Sequence, residues 1–249
     1  MFGSVERYSS TAGRKRAGMV GGRILRILII ALILYLVVSR FLFSTYRIES
    51  ASMEPGLTPA DRVVVSSLAY GPRIPFTTSR LPGLQTPQRG ELVVIVPPFS
   101  QETTLVSRLL EPFVSFLTAQ RVTLHRDLYG ARVNGYMVKR IIGIPGDTLR
   151  MSRFVLSIKT RGSTDFVPEQ QLIPFHYEIR TSVDARGWQE TFPLSGNSDE
   201  ISLRDNEYFV LGDNRPSSSD SRSWGPLRRD RIVGKLIYRY WPPRTLGIL

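Results

Sequence analysis

Hydrophobic positions change character along the chain, from one long apolar run to many strand-length segments. Residues 24–43 are almost all apolar, and twenty residues at the helical rise cover about 30 Å, the hydrocarbon thickness of a bilayer. The pattern predicts one transmembrane helix over 24–43. Its uninterrupted part, 27–38, has only 12 residues, within the roughly 7 to 15 of a signal-peptide core, so a cleaved signal is the alternative. Arg26 and Arg40 favour the anchor, because their stems can snorkel at the two ends of the run. The first small-residue triplet, Ser50-Ala51-Ser52, also lies too far past the run for a cleavage site.

Beyond the run the period shortens. Residues 46–50 look extended, 55–59 turn, and 62–66 have the β-branched character of a strand. Four prolines and three glycines between 70 and 90 exclude a regular element there. Residues 91–96 read as a buried strand stopped by Pro97-Pro98. In 104–120, Leu105, Leu109, Leu110, Phe113, Phe116 and Leu117 recur at helical spacing, predicting an inserted amphipathic helix that packs on the sheet or lies against a membrane or partner. Asn134-Gly135 is a two-residue hairpin signal before a strand at 136–142, and 143–147 turn out of it. Short alternating segments fill 149–203, with strands expected at 154–158 and 177–180, and 207–211 and 232–240 complete the set. No repeat of 20 to 50 residues is present. The expected fold is mainly β, one N-terminal transmembrane helix followed by a strand-rich domain.

Composition refines this picture little. The 249 residues suit one anchor plus one large domain, and 42% hydrophobic with 22% charged residues is ordinary for a packed core. Charge is more informative in its distribution than in its total. Of the net +12, the first 26 residues carry +5, from Arg7, Arg14, Lys15, Arg16, Arg23 and Arg26 against Glu6. This cluster flanks the apolar run, and only Arg40 and Arg47 follow closely on the other side, so the positive-inside rule places the N-terminus in the cytoplasm and residues after 43 outside. Residues 1–23 read as a basic cytoplasmic arm without its own fold, 24–43 as the membrane span and 44–249 as one extracytoplasmic domain. Membrane lipid explains the basic cluster better than nucleic acid does, since no nucleic-acid module is recognisable. With no cysteine there is neither a thiolate nucleophile nor a disulfide.

Serine is a weak nucleophile until a neighbouring base takes its proton. No Gly-x-Ser-x-Gly elbow occurs, and His125 and His176 lie in no catalytic context, which argues against a Ser-His-Asp arrangement. Lys139 is the better base, because strand alternation puts Met137, Lys139 and Ile141 on one face and desolvation between apolar neighbours disfavours the ammonium. A surface lysine at a sheet edge is the alternative. A third polar stretch, 212–222, follows the strand at 207–211; Asp220 and Arg222 can pair within it, and a solvated loop is the plain reading.

Together these stretches resemble the bacterial type I signal peptidases, membrane-anchored serine proteases with a Ser/Lys dyad. Ser52-Met53-Glu54-Pro55 is similar to the family's nucleophile motif, Arg89-Gly90-Glu91-Leu92-Val93-Val94 to its following strand, Lys139-Arg140-Ile141-Ile142-Gly143-Ile144-Pro145-Gly146-Asp147 to its general-base motif, and 212–222 to its last box, in the same order. The resemblance implies Ser52 as nucleophile and Lys139 as general base. It also implies an oxyanion hole from the Ser52 amide and Ser50 hydroxyl, Ser218 orienting the lysine, Asp220 and Arg222 as a supporting pair, and Met53 shaping the substrate cleft. Implied further are signal-peptide-bearing preproteins as substrates, cleavage after small residues, no metal or cofactor, and a place in the cytoplasmic membrane. Gly56 stands where the family usually has threonine, 104–120 looks inserted, and 150–204 is short for the family's variable β region. The rival reading is a membrane-tethered β domain that kept the fold without the chemistry.

Overall fold

The helix that carries the apolar run, α1, spans Tyr8–Val37 in a computed structural model that describes residues 8–38, 42–72, 74, 79–99, 114, 135–181 and 196–249. It begins well inside the arm expected to have no fold. Extending a nucleated helix is far easier than starting one, and the Ala, Arg, Lys and Met residues ahead of the apolar run are good helix formers. On α1, Ile27 and Leu34 are 62% and 60% exposed. Among the described residues, no helix is long and apolar enough to cross a membrane. Residues 39–41, within the expected 24–43 span, lie outside the described residues, as does nearly all of the expected 104–120 helix apart from Val114, together with Asn134 of the hairpin signal and His125.

The rest is β, as the short alternating segments predict. Strands β1 (Phe43–Arg47), β2 (Arg62–Ser66), β3 (Leu92–Ile95), β4 (Met137–Gly143), β5 (Thr148–Ser152), β6 (Val155–Lys159), β7 (Val167–Pro168), β8 (Ser198–Ser202), β9 (Glu207–Leu211), β10 (Leu227–Arg228), β11 (Ile232–Trp241) and β12 (Gly247–Ile248) form two sheets. The larger runs β1-β2-β11-β3-β4-β9-β10, with β12 on β11, and the smaller runs β7-β6-β5-β8. Both are antiparallel throughout.

The continuous apolar runs sit where both strand faces are covered, the condition under which alternation disappears. In β9, Tyr208 and Val210 join Val93, Ile95, Ile141 and Ile232 on one side. Phe209 and Leu211 meet Leu149, Leu156 and Ile158 of the small sheet on the other. A third cluster, with Ile48, Met53, Leu57, Val63, Val65 and Leu236, packs beneath the turn after β1. Strand β4 therefore lies between layers, and its consecutive side chains enter different cores.

Residues 177–180 are not a strand. Their backbone instead meets the loop after β9, through Arg180 N–H to Asp213 O at 2.9 Å and Arg215 N–H to Arg180 O at 2.9 Å, with a single bridge between Arg180 and Asn214. The alternation of Tyr177-Glu178-Ile179-Arg180 has another cause: Tyr177 turns inward to cover two buried charged groups described below.

Candidate active site

Ser52 lies on a one-turn 3-10 helix, Ala51–Met53, four residues past the end of β1. The turn is held from below by Met53 and Leu57, both buried in the third core cluster. Met53, expected to shape a substrate cleft, is only 1% exposed; its visible part is to fix the turn from inside. The loop after β9 holds the turn from the side, through Asn214 N–H to Ser52 O at 3.0 Å and Asn214 Nδ2 to Ala51 O at 3.1 Å. The Ser52 amide belongs to the first turn of its short helix, where backbone N–H groups have no intrahelical acceptor.

Strand β4 brings Lys139 to this serine from 87 residues further along the chain. Pairing of Val93 with Lys139 in the register of β3 and β4 sets the lysine in the apolar interior, and its side chain is 2% exposed. Its Nζ lies 3.1 Å from Ser52 Oγ and 3.0 Å from Ser218 Oγ. Ser50 Oγ is 3.0 Å from Ser52 Oγ. Ser50, Ser52 and Lys139 thus meet at one hydroxyl, and Ser218 joins them through the lysine amine.

Burial dominates the electrostatics here and brings the Lys139 amine down to about 8; Asp220 and Asp213 oppose that fall and Arg222 adds to it. With that value about a tenth of the lysine is neutral at pH 7, against a few parts in ten thousand for a free lysine. Asp220 itself would be raised by burial, but Arg222, Lys139 and the Gly212 N–H hold its carboxyl below the ordinary range. Arg222 Nε and Nη2 each donate to the Asp220 carboxylate at 2.8 Å, and Arg222 Nη2 donates to Arg215 O at 2.6 Å. The pair therefore braces the loop that carries Ser218. Close to the lysine, its two charges act on the amine in opposite directions.

Several supporting residues were not singled out by the sequence. Arg140 points away from Lys139 on the other face of β4, and a buried guanidinium requires a carboxylate. It finds Asp213, with Nε to Oδ1 at 2.8 Å and Nη2 to Oδ2 at 2.6 Å, under the Tyr177 ring 4.3 Å away. Asp213 precedes the Asn214 that holds Ser52, so one ion pair registers the base strand against the nucleophile turn. Behind it, Arg215 Nη2 donates to Glu169 Oε2 at 2.7 Å, and the Tyr177 hydroxyl donates to the same oxygen at 3.0 Å. Adjacency to Lys139 was the available signal for Arg140; for Glu169 the sequence offers none.

Gly212 is where the chain passes closest to the dyad. A Cβ there would collide with Ser218 Oγ and Cβ and lie 2.5 Å from Ser52 O, so the position admits no side chain. Gly212→Ala is expected to push Ser218 away from Lys139 and lower kcat/KM by about 100-fold or more with substrate affinity little changed, since it disturbs alignment and leaves the cleft open. Steady-state kinetics on a peptide substrate check this. By contrast a Cβ at Gly56 would meet Asp213 Oδ2 and Met53 O at an ordinary 3.6 Å, so the departure to glycine there is not forced by crowding. His176 is exposed at the surface. Among the described residues no group of three His, Asp or Glu side chains is placed to hold a metal ion.

A buried amine shared by two serine hydroxyls is an arrangement for taking a proton from one of them. A model of the signal peptidase family, peptidase S26, matches residues 22–241 of the chain. The chain is 26% identical over 223 residues to the probable signal peptidase I-2 of a Synechocystis species, covering 89% of this chain and 74% of that protein. It is 27% identical over 216 residues to the signal peptidase I of Bacillus licheniformis, covering 86% of each. Among solved structures, a signal peptidase I from Enterococcus faecalis aligns with a TM-score of 0.31 and 19% identity, covering 61% of this chain and 97% of that one.

Proposed function

The chain belongs to the signal peptidase family, peptidase S26, and from that premise we propose that Ser52 and Lys139 form the dyad with which it removes signal peptides from preproteins. The observation that carries the assignment is the buried Lys139 amine within hydrogen-bond reach of Ser52 and Ser218 together. A tethered β domain without chemistry would have no reason to keep a lysine desolvated, at a cost of about 3 kcal/mol for the shift involved.

In the reaction, neutral Lys139 donates one N–H to Ser218 Oγ, which aims its lone pair at the Ser52 hydroxyl. Ser52 Oγ attacks the scissile carbonyl carbon as its proton passes to Nζ. The carbonyl oxygen gains negative charge and accepts hydrogen bonds from the Ser52 amide and the Ser50 hydroxyl, a stabilisation specific to the tetrahedral state. The Lys139 ammonium then protonates the leaving amine, and the C–N bond breaks to leave an ester on Ser52. Water, giving its proton to the same amine, attacks the ester; Ser52 leaves with that proton and the amine is restored.

The substrate chemistry follows from where the serine is held. Ser52 lies nine residues past Phe43, so it stands within roughly 30 Å of the end of the apolar run. Strand β1 leads into the nucleophile turn, and an extended substrate segment would lie along that turn. A preference for small side chains before the cut is part of the same proposal. The exposed apolar face of α1 needs a covering of its own kind, and a bilayer supplies it. With the basic residues before it, the helix holds the N-terminus in the cytoplasm and the domain outside the cytoplasmic membrane.

Two experiments test these parts separately. Purified full chain should convert a preprotein to its mature form at a single site after a small residue; an unchanged preprotein would refute the reading. Protease added to sealed spheroplasts should digest the domain after Phe43, and full protection until lysis would reverse the topology.

A further inference from the structure

Glu169 lies outside every stretch that resembles a motif of the family, yet it is fully buried together with Arg215. It opens a single helical turn, Glu169–Leu172, directly after β7, and so belongs to the layer of the small sheet. Its Oε2 accepts from Arg215 Nη2 at 2.7 Å and from the Tyr177 hydroxyl at 3.0 Å. Its Oε1 is buried with no hydrogen-bond partner among the described residues. Phe154 O, in the turn before β6, accepts from Arg215 Nη1 at 2.9 Å. The small sheet thus grips one guanidinium from two sides. A buried ion pair adds little net stability, because desolvation offsets the attraction, but its directional hydrogen bonds fix distance and angle.

Two sets of contacts lead from this carboxylate to the hydrogen bond between Lys139 and Ser218. On the loop side, Arg215 Nε donates to Gly212 O at 3.2 Å, and Gly212 abuts Ser218 so closely that a Cβ there would collide with Ser218 Oγ. Arg215 O accepts from Arg222 Nη2 at 2.6 Å, and Arg222 holds Asp220. The chain before and after Ser218 is therefore tied to Arg215. On the strand side, the Tyr177 ring lies 4.3 Å from the guanidinium of Arg140, the residue next to Lys139 on β4. Through its two hydrogen bonds Glu169 reaches both the loop that carries the hydroxyl and the strand that carries the amine.

We propose that Glu169 is a positioning residue for the dyad, setting through Arg215 and Tyr177 the distance at which Ser218 meets Lys139 and so the aim of the amine at Ser52. This rests on the reading of Ser52 and Lys139 as nucleophile and base. Position and charge make opposite demands on substitutions. In Glu169→Asp the charge stays, but the carboxylate is one methylene short and cannot reach Arg215 and Tyr177 from the same backbone. In Glu169→Gln the charge is lost, but the amide oxygen keeps both bonds while its nitrogen takes the place of the unpartnered Oε1. A residue that only neutralised Arg215 would tolerate aspartate better than glutamine; a positioning residue tolerates glutamine better in turnover.

The test is steady-state cleavage of a soluble peptide by the full chain in non-ionic detergent, with thermal unfolding of each variant followed alongside. Glu169→Asp should lower kcat about tenfold with KM within about twofold, since a small misplacement far from the reacting atoms costs rate and leaves substrate binding intact. Glu169→Gln should lose less in kcat than Glu169→Asp, whatever its thermal stability. Ser218→Ala should lower kcat about 100-fold. Adding Glu169→Asp to it should cost less than about twofold more, because the contact that Glu169 positions is already gone. Wild-type kcat in Glu169→Asp, a larger kcat loss in Glu169→Gln, or losses that multiply in the double variant would each overturn the proposal. If Glu169→Gln fails to fold, the aspartate and double variants decide alone. Full activity in Ser52→Ala would overturn the dyad reading itself, whereas an inactive Ser52→Ala beside a fully active Glu169→Asp would overturn the positioning role alone.

Discussion

Ser52→Ala is expected to lower kcat/KM on a preprotein by on the order of 10⁴-fold or more, because it removes the atom that carries the acyl group through the reaction. The fold should survive. Ser52 contributes its hydroxyl to Lys139 and Ser50, whereas the turn is held by Asn214 and by the burial of Met53 and Leu57. Substrate binding should persist as well, since no part of the expected cleft is removed. A binding assay beside the turnover assay separates loss of chemistry from loss of structure, and preprotein processing at the wild-type rate by pure Ser52→Ala would show that another group is the nucleophile.

The second large effect concerns Lys139. Lys139→Arg should be as inactive as Lys139→Ala, because a guanidinium remains protonated at any working pH and cannot accept the serine proton. Lys139→Met separates base from filler, since it keeps the volume and drops the amine. Its stability change has a definite sign. The folded amine titrates at about 8 and the unfolded one near 10.4, so below about pH 8 both states are protonated and the folded state bears the full cost of burying charge. Between about 8 and 10.4 the unfolded chain binds more protons, and stability rises with pH until the cost is gone. Lys139→Met should therefore be the more stable protein below pH 8, by up to about 3 kcal/mol less the two hydrogen bonds it loses. Thermal unfolding across that pH range reads this directly, and a destabilised Lys139→Met throughout would contradict the burial argument.

The fold was legible where local pattern and tertiary environment agree. Residues 62–66 and 207–211 are strands at the expected bounds, since a β-branched or continuous apolar run is what a doubly covered strand needs. Strand β8, Ser-Asp-Glu-Ile-Ser, could not be read that way, because it is mostly solvated and exists through pairing with β5. Residues 177–180 have the alternation of a strand, but Tyr177 and Arg180 are used singly, one against Arg140 and Glu169, the other against Glu54 at 2.9 Å. In the site, the expected Ser50, Ser52, Lys139 and Ser218 come together, and Asp220 pairs with Arg222. Gly212, Asp213 and Asn214 belong to the same recognised stretch, yet their tasks depend on which atoms pass within a few ångströms. Glu169 lies in a segment with no local signal, and only the packed structure shows that it neutralises Arg215.

The most direct test of a neutral buried lysine acting on Ser52 is the pH dependence of kcat/KM on a soluble peptide, for the wild type and for Met137→Glu, with folding checked at each pH. Met137 shares the Lys139 face of β4 by strand alternation, packs against the cluster that holds Ile141 and Val93 and is only partly buried, so a carboxylate there favours the ammonium without a fully buried charge. Because the acidic limb reports the free enzyme's base, the wild-type limb should fall near the value of about 8 set by burial. In Met137→Glu it should move to higher pH, with activity partly recovered in alkali. A wild-type limb in the range of an ordinary histidine, or a limb that stays in place in well-folded Met137→Glu, would contradict Lys139 as the base.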